Sequence, residues 1–290
     1  DTVTVPLAAS NNQCSVSPAQ LVLNASNWNL GVEATVTAVD DAIADGDVEC
    51  IVQTGPTTSA DDNYKNLSGA DVIVTVHDDD QAGFVVAPTR LTVSEPSGSG
   101  TFVVKLTSQP QAQVTVPLTP SNNQCSVSPA QLVLNASNWN LGVEATVRAV
   151  DDAIADGDVE CTILTGPTTS ADDNYNNRNP DDVTVTVEDD DEVGILVDPT
   201  ELTISEPDGS DTFRISLKSQ PRFSVFMSLS VTGGECRISQ PSVWLSASNW
   251  SSGILITVTA NDDLVADGSK TCTVVIGPSS SDDEDYWGID

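Results

Sequence analysis

Apolar and polar residues alternate along most of this chain. Segments 102–107, 114–118, 144–150 and 183–187 follow a period of two and are rich in valine and threonine, which is typical of β-strands. Turn residues, such as the Pro-Ser-Gly-Ser-Gly at 96–100, separate them. We find no stretch of about 10–12 residues with the helical period. The pattern therefore predicts an all-β protein.

The chain also repeats itself with a period of 111 residues. The Asp triplet at 78–80 recurs at 189–191, and residues 2–64 differ from residues 113–175 at only seven positions. A unit of this length is large enough to bury its own core. About seven short strands per unit predict tandem immunoglobulin-like β-sandwiches.

We place the unit boundaries directly after each Asp triplet. Unit 1 is then 1–80, a partial unit from which the first strands are absent. Unit 2 is 81–191, a complete unit. Unit 3 is 192–290, a unit that lacks its last strand.

Each unit carries two cysteines that are 36 residues apart. The six are Cys14, Cys50, Cys125, Cys161, Cys236 and Cys272. One disulfide within each unit is the economical pairing, and three pairs of buried free thiols are the alternative. Paired cysteines in an all-β chain indicate an oxidising compartment, which favours an extracellular location.

Four sites match the Asn-x-Ser acceptor sequence for N-glycosylation. They are Asn24, Asn66, Asn135 and Asn249. Glycosylation at these positions fits extracellular exposure, but a Ser- and Asn-rich chain also produces such triplets by chance. Both readings stay open.

Three tryptophans keep the 111-residue period. Trp28, Trp139 and Trp250 each follow a strand, and we expect them to pack in the core rather than to form a sugar-binding platform. His77 precedes the first Asp triplet, where we expect a solvated linker side chain.

The net charge excludes several classes of partner. The chain has 43 Asp and Glu residues against 10 Lys and Arg, for a formal charge of −33. Nucleic acids and anionic membranes require a basic surface, so we expect neither as a partner. With His77 as the single histidine, no Ser-His-Asp triad or His-based zinc site is expected, and we predict no enzymatic activity.

The acidic residues are clustered rather than evenly scattered. In unit 2 they gather at 151–160 and at 188–192. Neighbouring carboxylates repel by about 1 kcal/mol per close pair even in water, so a folded loop that holds several of them needs a cation. Oxygen ligands without His or Cys select calcium. The alternative is the solvated acidic surface of a salt-adapted protein.

Four stretches of unit 2 together resemble a known domain family. They are Leu-Thr-Val-Ser-Glu-Pro at 91–96, Thr-Phe-Val-Val-Lys-Leu at 101–106, Ala-Val-Asp-Asp-Ala-Ile-Ala-Asp-Gly at 149–157 and Val-Thr-Val-Glu-Asp-Asp-Asp at 185–191. The unit resembles a Calx-beta domain, the calcium-binding β-sandwich of sodium–calcium exchangers, integrin β4 and many bacterial surface proteins. By the repeat, the resemblance extends to units 1 and 3.

The resemblance implies a set of calcium ligands at one end of each sandwich. In unit 2 these are Glu95, Asp151, Asp152, Asp156, Asp189, Asp190 and Asp191. In unit 1 they are Asp40, Asp41, Asp45, Asp78, Asp79 and Asp80. In unit 3 they are Glu206, Asp262, Asp263 and Asp267.

These observations favour an extracellular calcium-binding structural repeat array. We expect a stiff spacer, stalk, filament shaft or adhesin of a cell surface or appendage, with calcium at the junctions between units. Its partners would be neighbouring units and other copies in a filament or surface assembly. The alternative is a calcium-sensing regulatory module of a membrane transport or signalling protein.

Overall fold

The computed structural model describes residues 1–263, 265 and 268–290, and it confirms the all-β fold. Unit 2 contains eleven strands. They are β8 (Phe84–Ala87), β9 (Arg90–Ser94), β10 (Ser99–Leu106), β11 (Val114–Pro117), β12 (Thr119–Pro120), β13 (Cys125–Ser128), β14 (Gln131–Leu134), β15 (Val143–Ala149), β16 (Val159–Leu164), β17 (Thr169–Ser170) and β18 (Val183–Glu188). The numbers β1–β7 belong to unit 1.

The strands of unit 2 form the two layers of an immunoglobulin-like sandwich. One layer has the strand order β13-β15-β10-β8. The other combines the orders β14-β11-β17 and β12-β16-β18-β9, because β11 and β12 are consecutive parts of the same chain segment. All pairs are antiparallel except β18 and β9, which run parallel.

The period-two pattern explains the core of unit 2. Val183, Val185 and Val187 are fully or almost fully buried, whereas the threonines between them face away from the core. Phe102 and Ile163 are completely buried in the same cluster. Alternate burial therefore fixes the register of each strand, because a slip by one residue would turn the valines towards solvent.

Unit 1 forms only part of such a sandwich. Its strands are β1 (Val3–Ala9), β2 (Cys14–Ser17), β3 (Gln20–Leu23), β4 (Thr35–Ala38), β5 (Val48–Thr54), β6 (Thr58–Ser59) and β7 (Val72–Val76). They correspond to strands of unit 2 from β11 onwards. Without counterparts of β8–β10, the buried core of unit 1 is small and consists of Cys14, Cys50 and Val52.

Unit 3 repeats the strand pattern of unit 2 at a distance of 111 residues. Its strands are β19 (Ile195–Asp198), β20 (Ser210–Leu217), β21 (Val225–Thr232), β22 (Cys236–Ile238), β23 (Ser242–Leu245), β24 (Ile254–Ala260) and β25 (Thr273–Ile276). Segment 201–205, the counterpart of β9, is not a strand. It lines an open groove together with β25, in the place that β18 fills in unit 2.

The three predicted disulfides are present. They join Cys14 to Cys50, Cys125 to Cys161 and Cys236 to Cys272. The alternative of free thiols was wrong, since no cysteine is free. Three disulfides indicate a secreted or extracellular protein. Among the described residues, no helix is long and apolar enough to cross a membrane.

The tryptophan prediction holds in two units and was wrong in the third. Trp139 and Trp250 pack against the cores of units 2 and 3, and their carbonyls accept hydrogen bonds from Leu106 and Leu217. Trp28 is 71% exposed. The part of unit 1 that the structure describes does not include a counterpart of β10, the strand to which Leu106 belongs, so Trp28 does not make the packing contact that Trp139 makes in unit 2.

A buried tyrosine holds one turn of unit 2 in place. The Tyr175 hydroxyl donates to the Ser108 carbonyl at 2.8 Å and lies 2.7 Å from the Ser108 Oγ. The Asp172 carboxylate accepts from the backbone N–H of Gln111 at 2.8 Å. Unit 3 repeats the arrangement with Tyr286 and Ser219. Asp172, the first of two consecutive aspartates at 172–173, thus has a structural role in this turn.

We predict that Tyr175→Phe destabilises unit 2 by about 1–3 kcal/mol, because it leaves buried groups of Ser108 without their partner. Hydrogen exchange of amides in unit 2 of the full chain measures the loss. Tyr64→Phe is the matched control, since Tyr64 occupies the equivalent position in unit 1 but is 52% exposed. Equal effects of the two variants would contradict this role of the tyrosine.

Candidate metal centre

The parallel pair of β9 and β18 determines where the acidic groups meet. Because the two strands run in the same direction, both end at the same edge of the sheet. Glu95 follows β9, and the triplet 189–191 follows β18. The backbone N–H of Glu95 donates to the Glu188 carbonyl at 3.0 Å, which extends the pairing to the site itself.

The loop 151–157, which we call the acidic loop of unit 2, brings further carboxylates to this edge. Asp152 Oδ1 accepts from the backbone N–H of Ile154 at 2.8 Å, which shapes the start of the loop. At its end, the backbone N–H of Gly157 donates to Asp189 Oδ2 at 2.7 Å. Gly157 has a φ of +73°, a conformation that glycine adopts without strain. The loop is thus tied to the triplet.

Two groups of carboxylates result in unit 2. Oxygens of Glu95, Asp189 and Asp191 lie within 4.8 Å of one another, and so do oxygens of Glu95, Asp151 and Asp190. Asp191 Oδ2 is buried and has no hydrogen-bond partner. Carboxylate oxygens without nitrogen or sulfur donors fit calcium. The predicted ligand Asp152 belongs to neither group, and Asp189 already accepts a hydrogen bond from Gly157.

The predicted ligand Asp156 lies at the same end but is engaged differently. Its Oδ2 is 3.4 Å from Arg222 Nη2 of unit 3. Burial raises the pKa of Asp156, the charge of Asp152 adds to the increase, and the Arg222 guanidinium opposes it. Asp156 is thus a predicted calcium ligand that already has a cationic partner within the protein.

Two carboxyl groups in these clusters, those of Glu95 and Asp191, have a raised pKa. Burial raises the pKa of Glu95, and the charges of Asp152, Asp189 and Asp151 add to the increase. Burial likewise raises the pKa of Asp191, and Asp189 and Asp190 are its strongest charged neighbours. Both effects disfavour the ionised form, so a cation that neutralises the cluster would be favoured.

Unit 1 gathers a smaller set of its predicted residues. Oxygens of Asp78, Asp79 and Asp80 lie within 4.8 Å of one another, and Gly46 N–H donates to Asp78 Oδ2 at 2.6 Å. Burial and Asp78 raise the pKa of Asp80. Asp40 also contributes to that increase.

Two further predicted residues of unit 1, Asp41 and Asp45, face a glutamine. Gln13 Nε2 donates to Asp41 Oδ2 at 3.3 Å and to Asp45 Oδ2 at 3.5 Å. His77 was expected to be a solvated linker residue. Its ring is exposed, but Nδ1 lies 2.8 Å from Asp47 Oδ2, which lowers the pKa of Asp47.

In unit 3 the described residues include no comparable group of three carboxylates. Asp263 Oδ1 accepts from Val265 N–H at 2.8 Å, as Asp152 does from Ile154. Glu206 and Asp262 are exposed. Asp267 lies outside the described residues. The counterpart of the triplet 189–191 would fall at 300–302, beyond the 290 residues of this chain.

The acidic loop of unit 2 and the equivalent loop of unit 1, residues 40–46, each contact the next unit. The sequence did not reveal this contact. Ala42 in unit 1 accepts a hydrogen bond from Gln109 N–H of unit 2 at 2.6 Å. Ala153 in unit 2 accepts one from Gln220 N–H of unit 3 at 2.5 Å. Gln109 and Gln220 belong to the turns that Tyr175 and Tyr286 hold in place. Both junctions therefore use the same contact.

A second contact differs between the two junctions. Asn174 Nδ2 of unit 2 donates to the Ala44 carbonyl of unit 1 at 2.8 Å. In unit 3 the equivalent residue is Asp285, and Arg222 lies between it and Asp156, at 3.6 and 3.4 Å. The signal in the sequence was a paired change between units, from Gln111 and Asn174 to Arg222 and Asp285.

The glycosylation sequences differ in their surroundings. Asn66 is exposed. Asn24 and Asn135 are half-buried, and each accepts a hydrogen bond from the hydroxyl of the serine two residues on. Asn249 accepts from Ser246 N–H at 2.6 Å and donates to the Trp244 carbonyl at 3.2 Å. Asn66 is therefore the most accessible of the four.

No protein-family model matches this chain, and no curated protein sequence matches it. Solved structures do match at low identity. CBD12 from CALX1.2 is 15% identical over 69% of this chain and 82% of that chain, with a TM-score of 0.33. The calcium binding domain CBD12 of CALX1.1 is 16% identical over 70% and 83%, with a TM-score of 0.34. The E. coli chaperone DraB is 12% identical over 71% and 94%, with a TM-score of 0.27.

The raised carboxylate pKa values predict how stability depends on pH without calcium. The ordinary values are 4.5 for Glu95 and 3.8 for Asp156 and Asp191. Just above these values the folded chain binds more protons than the unfolded chain, so the free energy of unfolding falls as the pH rises through the raised pKa values. We expect metal-free protein to melt at a higher temperature at about pH 5 than at about pH 7.

The control for this pH dependence is a pair of single-charge variants. Asp152→Asn removes a charge that raises the pKa of both Glu95 and Asp156, so it reduces the difference between the two melting temperatures. Asp173→Asn removes an exposed charge and leaves the difference unchanged. A melting temperature that rises between about pH 5 and about pH 7 is the opposite result and refutes the repulsion.

Proposed function

We propose that this chain is part of an extracellular calcium-binding structural array of Calx-beta-like units. At each complete junction, calcium would lie between three sets of carboxylates. These are the glutamate equivalent to Glu95, the aspartates of the acidic loop and the Asp triplet. The array would form a spacer, stalk, filament shaft or adhesin. It would have no enzymatic activity, and its partners would be neighbouring units and other copies of the chain.

One observation carries this proposal. The backbone carbonyls of the acidic loops, at Ala42 and again at Ala153, also accept hydrogen bonds from backbone N–H groups of the next unit. A cation that orders the loop therefore acts on the joint between units. The contact recurs with the 111-residue period, as expected for an array in which each joint has the same geometry.

The size of the effect is compatible with this role. Extracellular calcium modules have dissociation constants of about 10⁻⁴–10⁻³ M. At free calcium about ten times the dissociation constant, one site adds about 1.4 kcal/mol to stability. This gain is similar to the repulsion between one close pair of carboxylates in water, about 1 kcal/mol. Calcium would thus offset a repulsion that is built into the loop.

The sensor alternative uses the same site but differs in what calcium changes. A regulatory module needs a change in the relative orientation of units, whereas a structural array needs a fixed orientation at working calcium levels. The three disulfides favour the array, because they indicate an oxidising compartment. A glycan on the exposed Asn66 would agree with this location.

We predict that chelation lowers the melting temperature of unit 2 by about 5–10 °C and makes the full chain more flexible in solution X-ray scattering. Replacement of Asp151, Asp152, Asp189 and Asp190 by asparagine removes the ligands together with their mutual repulsion, so melting temperature and flexibility should no longer respond to calcium or to chelator. Calorimetry with calcium titration measures binding directly.

The control variant removes four exposed carboxylates elsewhere, namely Asp62, Glu144, Asp173 and Asp181, so it has the same net charge. It should keep its response to calcium. If neither melting nor scattering responds to calcium in the unmodified chain, the acidic surface of a salt-adapted protein is the better explanation. If melting responds but scattering does not, calcium stabilises the unit without stiffening the joint.

We further predict that Arg222→Gln loosens the junction of units 2 and 3 in calcium-free solution. The variant places glutamine at position 222, as unit 2 has at the equivalent position, Gln111. Since Arg222 and Asp156 are both partly exposed, their ion pair contributes about 0.2–1 kcal/mol, so calcium affinity should rise by no more than about fivefold.

Arg90→Gln is the matched control, because Arg90 is exposed and forms no ion pair at 4.0 Å or less with any residue that the structure describes. Scattering and calcium titration of the two variants decide the matter. A lower calcium affinity in Arg222→Gln would mean that the arginine supports calcium binding and does not compete for Asp156.

A further inference from the structure

Unit 3 carries two paired aromatic side chains, one exposed and one half-buried, on the outer face of one sheet. Phe226 on β21 lies directly opposite Trp244 on β23. Their ring centroids are 4.9 Å apart, with an angle of 54° between the ring planes. Trp244 is 61% exposed. The two rings therefore form a contiguous aromatic surface that solvent reaches.

A third exposed aromatic residue, Trp287, lies on a chain segment further across the sheet. On the side away from Trp244, Phe226 exchanges two backbone hydrogen bonds of 2.9 Å with Ser280. The next chain segment joins there, because Gly288 N–H donates to the Ser279 carbonyl at 2.9 Å. This segment carries Trp287, which is 65% exposed. The order across the sheet is therefore Trp244, Phe226, Ser280 and the segment with Trp287.

The fold does not require these aromatic residues. The equivalent positions are Thr115, Val133 and Asn176 in unit 2. In unit 1 they are Thr4, Val22 and Lys65. Unit 2 forms the same strand pair from Thr115 and Val133. Since the strand pair forms without them, and contiguous exposed apolar surface beside polar residues is typical of binding sites, the change in unit 3 points to a ligand.

The neighbouring side chains indicate the chemistry of that ligand. None of the residues of β21, β23 and β25 is charged, although the chain as a whole carries −33. Ser228 and Ser242 lie opposite each other next to the aromatic pair. The surface thus combines ring faces with hydroxyl groups that can donate and accept hydrogen bonds, and it offers no ion pair.

We propose that this surface, defined by Phe226 and Trp244 with Ser228 and Ser242 beside them, binds a neutral glycan. The C–H face of a pyranose ring packs on an aromatic ring, and its hydroxyls hydrogen-bond to the adjacent serines. An anionic polysaccharide is disfavoured by the net charge of the protein. A basic partner finds no carboxylate on these strands. The site would give the array its adhesive ligand, and it does not depend on calcium.

The test uses the full chain and three probes, which are neutral hexasaccharides of glucose, mannose and N-acetylglucosamine. Titration calorimetry and native electrophoresis in gels that contain the corresponding polysaccharide report binding. Trp244→Val and Phe226→Thr place the residues of unit 2 in unit 3, so the sheet keeps a sequence that is known to form it. We expect at least a tenfold loss of affinity in Trp244→Val.

The control variant is Leu255→Thr, which removes an exposed apolar residue from the opposite layer of unit 3 and should leave binding unchanged. Chelation of calcium should also leave it unchanged, so failure of the calcium proposal and failure of this one are distinguishable.

The proposal is overturned if none of the three hexasaccharides binds at millimolar concentration or if Trp244→Val binds as well as the unmodified chain. Equal binding of heparin would likewise overturn it. Binding of the chain to cells that is lost in Trp244→Val but survives removal of surface glycans would identify a protein partner instead.

Discussion

The parallel pairing of β9 with β18 is the constraint on which the candidate site depends. The two strands are about ninety residues apart in sequence, yet their common direction brings Glu95 and the triplet 189–191 to the same edge. An antiparallel pair would have placed these carboxylates at opposite ends of the sandwich. Unit 1 has the counterpart of β18 and unit 3 the counterpart of β9, so only unit 2 assembles the full set within the described residues.

The second constraint is that the acidic loop serves two surfaces. Its side chains lie against the triplet, whereas its carbonyls at Ala42 and Ala153 face the next unit. The turn that receives these carbonyls is held by a buried tyrosine and an aspartate. Repulsion within the loop and the position of the next unit are therefore mechanically connected. This connection, and not the number of carboxylates, is the reason to place calcium at a joint.

The sequence predicted the features that rest on local pattern or on the repeat. Alternating valines predicted the strands, and the 36-residue spacing predicted the disulfides, because both follow from chain geometry. Trp28 was misjudged, since its burial depends on a strand that unit 1 does not contain. The roles of Arg222 and Tyr175 depend on contacts between distant segments, which no local pattern encodes. That Glu95 lies beside the triplet was predicted only from the family resemblance. The parallel pairing of β9 with β18 explains it physically.

Differences between otherwise similar units carry information that the repeat itself does not. At the junctions, neutral Gln111 and Asn174 are replaced by Arg222 and Asp285, so the second joint has an ion pair where the first has an amide hydrogen bond. On the outer face, Thr115 and Val133 are replaced by Phe226 and Trp244. Neither change is needed to form the sandwich, because unit 2 forms it without them. Residues that keep the period therefore report on the fold and the common joint, whereas residues that break it mark places where one unit meets something the others do not.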